Sequence, residues 1–182
     1  MSKLVRLFKQ KGVRRILDLG CGSGRHVVYL AKKGFDIYGV DSSKSGIKIA
    51  KSWLKKENLK AQLKIGNIYA KLPYKNKFFD AVISVQTMHH GRPKKIKKLI
   101  VEIERILKEN GAIFITVPKT KNQANKLKKI EERTFVPLDG NEKGLVHFYF
   151  SKNLIKEFFG NFYIRNIHID SVDHYCFTGL KI

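Results

Sequence analysis

Short apolar runs and amphipathic stretches take turns along this chain. Arg15-Ile16-Leu17-Asp18-Leu19 has the pattern of a strand, and the next apolar positions, Val27, Val28, Leu30 and Ala31, fall at helical spacing. A second strand, Ile37-Tyr38-Gly39-Val40, ends in Asp41, and Ile47, Ala50 and Leu54 mark a crossover helix over residues 44–57 with a lysine-rich outer face. Ala61–Ile65 supplies a third strand and Phe78–Val85 a fourth. The clearest helical stripe is Ile96, Leu99, Ile100, Ile103, Ile106 and Leu107, with Pro93 suited to its first turn. Asn110-Gly111 is expected to stop that helix, glycine supplying a left-handed cap. A fifth strand, Ala112–Val117, is broken by Pro118, and Leu4, Leu7 and Phe8 space a leading helix over residues 2–11. Apolar strands alternating with amphipathic helices predict a parallel sheet covered on both faces.

Residues 119–147 interrupt this alternation. The stretch opens with Lys119-Thr120-Lys121-Asn122-Gln123 and ends with Gly140-Asn141-Glu142-Lys143-Gly144, with little apolar periodicity between. Loops of that length inside compact domains are functional or disordered, so a lid or substrate-recognition insert and a mobile solvent loop both fit. Ser151 then caps a short helix containing Leu154, Ile155, Phe158 and Phe159. Two strand-like runs follow, Phe162–Ile169 and His174–Leu180. No internal repeat or low-complexity tract is visible, and 182 residues suit one domain spanning 1–182.

The first strand runs into Gly20-Cys21-Gly22-Ser23-Gly24-Arg25 and then directly into a helix. Glycines there let a backbone approach a ligand closely, and the helix start presents unpaired N–H groups, which together suit a nucleotide-like cofactor. The dinucleotide fingerprint is G-x-G-x-x-G, whereas this turn is G-x-G-x-G with Asp18 two residues before it. An ordinary glycine-rich strand-to-helix turn is the plainer alternative.

These residues resemble the first motif of the class I S-adenosylmethionine (SAM)-dependent methyltransferases, of the small, type 11-like methyltransferase-domain kind. Asp41 at the end of the second strand, Gly66-Asn67-Ile68 after the third, and Leu72-Pro73 followed by Phe78–Val85 match the family in order over about two-thirds of the chain. The resemblance implies a Rossmann-like, doubly wound α/β fold: a mostly parallel seven-stranded sheet, helices on both faces, and an antiparallel last strand inserted between its neighbours. It implies SAM as cofactor, contacted by Asp18, Gly20, Cys21, Gly22 and Gly24 of the turn. Asp41 and Ser42 would hold the ribose, Asn67 and Ile68 the adenine, and Val85 would end the fourth strand beside the transferred methyl group. Asn67 departs from the acid the family usually carries there.

Chemistry in open parallel sheets gathers at the carboxyl ends of the strands, where Gln86-Thr87-Met88-His89-His90 lies. His89 and His90 are therefore the catalytic candidates, accepting a proton or orienting a substrate; capping the following loop is the other reading of His89. Arg133, His147 and Tyr149, beyond the insert, are candidate substrate contacts. A metal site from His89, His90 and His147 lacks ligand spacing or nearby acids, so no metal is expected. The Asn/Asp-Pro-Pro-aromatic run of the family's amino-methylating nucleic-acid enzymes is replaced by Gln86-Thr87-Met88-His89, and neither Cys21 nor Cys176 follows the proline that cytosine C5 enzymes need. The His-His-Gly sequence resembles a broad methyltransferase group that includes tRNA wobble-uridine enzymes.

Charge changes the list of partners. The chain carries 37 Lys and Arg against 15 Asp and Glu, a formal +22, with only eight arginines. Such a field attracts a polyanion such as tRNA or rRNA, or a small anionic acceptor. Lysine-biased composition is the alternative, though the acids do not balance it. Scarce arginine, the residue for bidentate phosphate contacts, favours a non-specific surface. The expected function is methyl transfer to an O or N acceptor on a small molecule. The alternatives are a tRNA or rRNA methyltransferase and a non-catalytic SAM- or RNA-binding protein. Met1–Phe8 has no apolar core for a signal peptide, no stretch reaches the roughly 20 apolar residues of a membrane span, and two cysteines make no disulfide framework, so a cytoplasmic protein is expected.

Overall fold

The computed structural model describes residues 1–119 and 126–182. The element order begins α1 (Ser2–Gln10), β1 (Arg15–Leu19), α2 (Arg25–Lys32), β2 (Asp36–Asp41), α3 (Lys44–Lys56), β3 (Gln62–Ile65), β4 (Phe79–Val85), α4 (Pro93–Ile106) and β5 (Leu107–Pro118). It continues through β6 (Leu127–Glu131), β7 (Thr134–Pro137), β8 (His147–Phe148), α5 (Lys152–Phe158), β9 (Phe162–Ile169) and β10 (His174–Lys181).

Seven strands form one sheet in the order β3-β2-β1-β4-β5-β10-β9. The first five pair in parallel, and β10 runs antiparallel to both β5 and β9, which inserts it between them as expected. Chain order reverses between β1 and β4, and the carboxyl ends there form the crevice in which such sheets take ligands. One face carries Ile96, Leu99, Ile100 and Ile103 of α4 with Ile155 and Phe158 of α5. The other carries Leu4, Val5 and Phe8 of α1, Val27 and Val28 of α2, and Ile47 and Leu54 of α3. The apolar stripes read from the sequence are thus the faces that are buried.

The crossover from β3 to β4 has no helix. Residues 66–78 are instead held by a side-chain clamp from α4: Glu102 accepts from Leu72 N at 2.9 Å, and Arg105 donates to Leu72 O at 3.0 Å and Tyr74 O at 2.8 Å. Two expectations about the later chain need correction. The helix stops at Ile106, not at Asn110-Gly111, because the buried Leu107 already pairs with Phe79 in the sheet. Asn110, not Gly111, takes the left-handed backbone, at φ 58°. The polar insert also carries structure: β6, β7 and β8 form a separate three-stranded antiparallel sheet. Residues 120–125 of that insert lie outside the described residues. Among the described residues, no helix is long and apolar enough to cross a membrane.

Candidate active site

The turn after β1 is pinned by its neighbours. Val40 O accepts from Gly20 N at 2.8 Å and Cys21 N at 3.3 Å. The Asp41 carboxylate accepts from Gly22 N at 2.8 Å through one oxygen and from Ser43 N at 2.7 Å through the other. Gly24 sits at φ 88°, and a Cβ on it would stand 2.7 Å from Ala50 Cβ, so this glycine lets α2 and α3 cross closely. Ser43 caps α3 by accepting from Gly46 N at 3.0 Å.

Asp18, beneath the turn, is buried, and its Oδ2 has no hydrogen-bond partner among the described residues. Burial pushes its carboxyl up to about 7; the charge of Asp41 adds to this and Arg25 opposes it. Above the turn lies a cavity of about 170 Å³ lined by Gly20, Asp41, Ser42, Gly66, Asn67, Ile68, Tyr69, Thr87, His90 and Leu145.

On the β4 side, His89, His90 and His147 converge, with ring centroids 4.0 Å apart for His89 and His90 and 4.8 Å for His90 and His147. Phe148 N donates to His89 O at 2.9 Å, so the small sheet is stitched to the loop after β4. Tyr69 Oη donates to Met88 O at 3.0 Å, and its ring fills the space a Cβ on Gly91 would need. Burial and mutual repulsion hold the His89 imidazole well below its ordinary 6.5, and mainly burial takes His90 to about 4. Burial lowers His147 too, opposed by Glu142. All three rings are neutral at neutral pH.

Of the residues singled out in the sequence, Gly20, Asp41, Ser42, Asn67, Ile68 and His90 line this cavity, and Asp18, Gly22 and His89 do not. Cys21 and Gly24 face elsewhere: the buried Cys21 packs toward Gly39, and Gly24 toward Ala50. Val85 is half-buried and does not line the cavity. Arg133 donates from Nε to Tyr149 O at 2.7 Å and from Nη2 to Phe150 O at 3.1 Å, which locks the turn between β6 and β7 to the segment after β8. Sequence reasoning missed Tyr69, Thr87 and Leu145. The signal for Thr87 was its place two residues after β4, opposite Gly20, whose Cβ position its side chain occupies. The premise that no acid lies near the histidines is also corrected. Glu142 reaches His147 Nε2 at 3.5 Å and His90 Nε2 at 3.8 Å, because the turn before β8 folds back over the loop after β4.

Residues 16–111 match the family model described as a methyltransferase domain. The chain is 33% identical over 107 residues to a ubiquinone biosynthesis O-methyltransferase of Pelagibacter ubique, covering 58% of this chain and 43% of that enzyme. It thus spans less than half the length of that relative. A SAM-dependent methyltransferase from Methanosarcina mazei superposes with a TM-score of 0.78 at 21% identity, over 92% of each chain. A Burkholderia thailandensis 1,6-didemethyltoxoflavin-N1-methyltransferase, solved with bound 1,6-didemethyltoxoflavin and S-adenosylhomocysteine, superposes with a TM-score of 0.76 at 15% identity, over 97% of this chain and 75% of its own. Fold, motif order and family model agree, and the chain belongs to the methyltransferase-domain family of class I SAM-dependent methyltransferases.

Proposed function

We propose that this chain transfers a methyl group from SAM to an oxygen or nitrogen of a small-molecule acceptor. The observation that carries this is one cavity lined both by Gly20, Asp41, Ser42, Asn67 and Ile68 and by His90. The residues suit the cofactor. Asp18, beneath the turn, has a buried carboxyl oxygen without a hydrogen-bond partner among the described residues, and Gly22, at φ 50°, leaves open space where a Cβ would stand. Each Asp41 oxygen accepts one backbone N–H and keeps a lone pair for a ribose hydroxyl. Asn67 and Ile68 are proposed for the adenine.

SAM, when bound, supplies an electrophilic methyl carbon on an excellent leaving group, so orienting the acceptor is most of what the protein must add. His90 at the cavity and His89 behind it offer neutral imidazole nitrogens that accept from the acceptor's O–H or N–H. With its conjugate acid near pKa 4, His90 orients an acceptor more than it deprotonates one. The small sheet is the proposed substrate-recognition lid, with Leu145 at the cavity edge and His147 as an acceptor contact; Arg133 and Tyr149 brace it. The O-methyltransferase relative and the neighbour solved with bound 1,6-didemethyltoxoflavin support this acceptor class over RNA.

Labelled methyl transfer from SAM into a cell extract, split into RNA, protein and small-molecule fractions, tests the proposal. Label is expected among the small molecules. Label in the RNA fraction would instead assign the basic surface to a polyanionic acceptor, and none in any fraction, with SAM still bound, would make this a non-catalytic binder.

A further inference from the structure

We propose that His89, His90 and His147, with Glu142 as an exposed fourth ligand, form a binding site for one divalent transition-metal ion of the zinc(II) or cobalt(II) type. One ring nitrogen from each histidine lies within 4.8 Å of those of the other two. His89 Nδ1, His90 Nε2 and His147 Nε2 are each buried without a hydrogen-bond partner among the described residues. Unpaired buried polar atoms are costly and uncommon, and three converging in one place ask for a common partner. Protonation does not provide it, because the rings would then repel one another in a buried setting. A cation of borderline softness does, since imidazole and carboxylate are its ordinary ligands.

The backbone anchors two of the donors. His89 is tied to the small sheet through Phe148 N, and His147 is fixed by pairing with Phe135 across β7 and β8. Glu142 is different. Its side chain is 53% exposed on the turn between β7 and β8, and its two oxygens lie 3.5 and 3.8 Å from the His147 and His90 nitrogens. Zn–N bonds of about 2.0–2.1 Å in a tetrahedral site put ligand atoms roughly 3.3 Å apart, so the widest separation must close by about 1.5 Å. Three neutral imidazoles and one carboxylate carry a single negative charge, which the ion reverses.

The site stands on this geometry alone; only its use rests on the proposed methyl transfer. Displacement of the exposed Glu142 would leave three histidines and an open position for an exchangeable ligand, as in catalytic zinc sites. An acceptor hydroxyl bound there would pass its proton more readily to the displaced Glu142 carboxylate, and the imidazoles would reach the acceptor through the ion.

The test uses untagged, chelator-stripped protein titrated with cobalt(II) and followed by visible absorption, with zinc content measured after dialysis. One equivalent is expected, with the intense absorption of four-coordinate cobalt. His89→Ala, His147→Ala and His90→Gln should each weaken uptake by at least about 100-fold, and Glu142→Gln by about tenfold. His90 is only half-buried, so His90→Gln decides the matter if the other two variants fail to fold. No uptake by the wild type, or equal uptake by His90→Gln, overturns the site. Asp41→Ala should keep the metal while losing cofactor affinity, so this inference and the methyl-transfer reading fail separately.

Discussion

On the β1–β3 side of the cavity the backbone of the turn is tied down: Gly20 and Cys21 donate to Val40 O, Gly22 and Ser43 to Asp41, and Gly24 is wedged against Ala50. On the β4 side three imidazoles present nitrogens with no hydrogen-bond partner among the described residues, beneath a small sheet that borrows its anchor from His89 O. The first side is preorganised for a guest of fixed shape, the second left to be completed by whatever enters. A common cofactor paired with a particular acceptor calls for this division, because preorganisation reduces the cost of binding only where the guest never changes.

Asp18 is the exception on the ordered side, and the largest expected effect comes from it. Its carboxyl titrates near 7 in the fold and near 3.8 in the unfolded chain. Between those values the fold keeps a proton that the unfolded chain has released, so raising pH through this window favours unfolding. The loss is on the order of 4 kcal/mol by pH 7. Asp18→Asn should remove this slope. Urea unfolding at pH 4.5, 6 and 7.5 checks it, and parallel curves for the two proteins would show that Asp18 is not the titrating group.

Next in size is Gly24→Ala. It forces a side chain into the left-handed region and against Ala50, and should cost about 3 kcal/mol of stability by chemical denaturation. Adding Ala50→Gly should restore part of that loss. No rescue would mean that the close crossing of α2 and α3 is not what Gly24 serves.

The same contrast explains what could be read from the chain. The turn, Asp41 and the strand ends are local: each is specified by residues next to it in sequence, and glycine spacing or an apolar run reveals them. The Ile96–Ile106 stripe is equally plain, yet the pattern does not mark its end, because Leu107 fits a helical face as well as the strand it joins. The sheet β6-β7-β8 is invisible in the sequence because its strands are two to five residues long: β6 is mostly lysine and glutamate, and β7 and β8 are too short to show an alternation. The histidine cluster was half legible. His89 and His90 stood out at the end of β4, but their meeting with Glu142 and His147 depends on a fold-back of more than 50 residues that no local pattern encodes.

The smallest of these effects is also the most direct test of the central claim, that Asp41 and the glycine turn hold SAM. Calorimetric titration of SAM into the wild type and into Asp41→Ala should show one site, weakened at least about tenfold in the variant, the loss expected for a charged hydrogen-bond pair. Equal affinities in the two proteins, or no binding to the wild type, would contradict it.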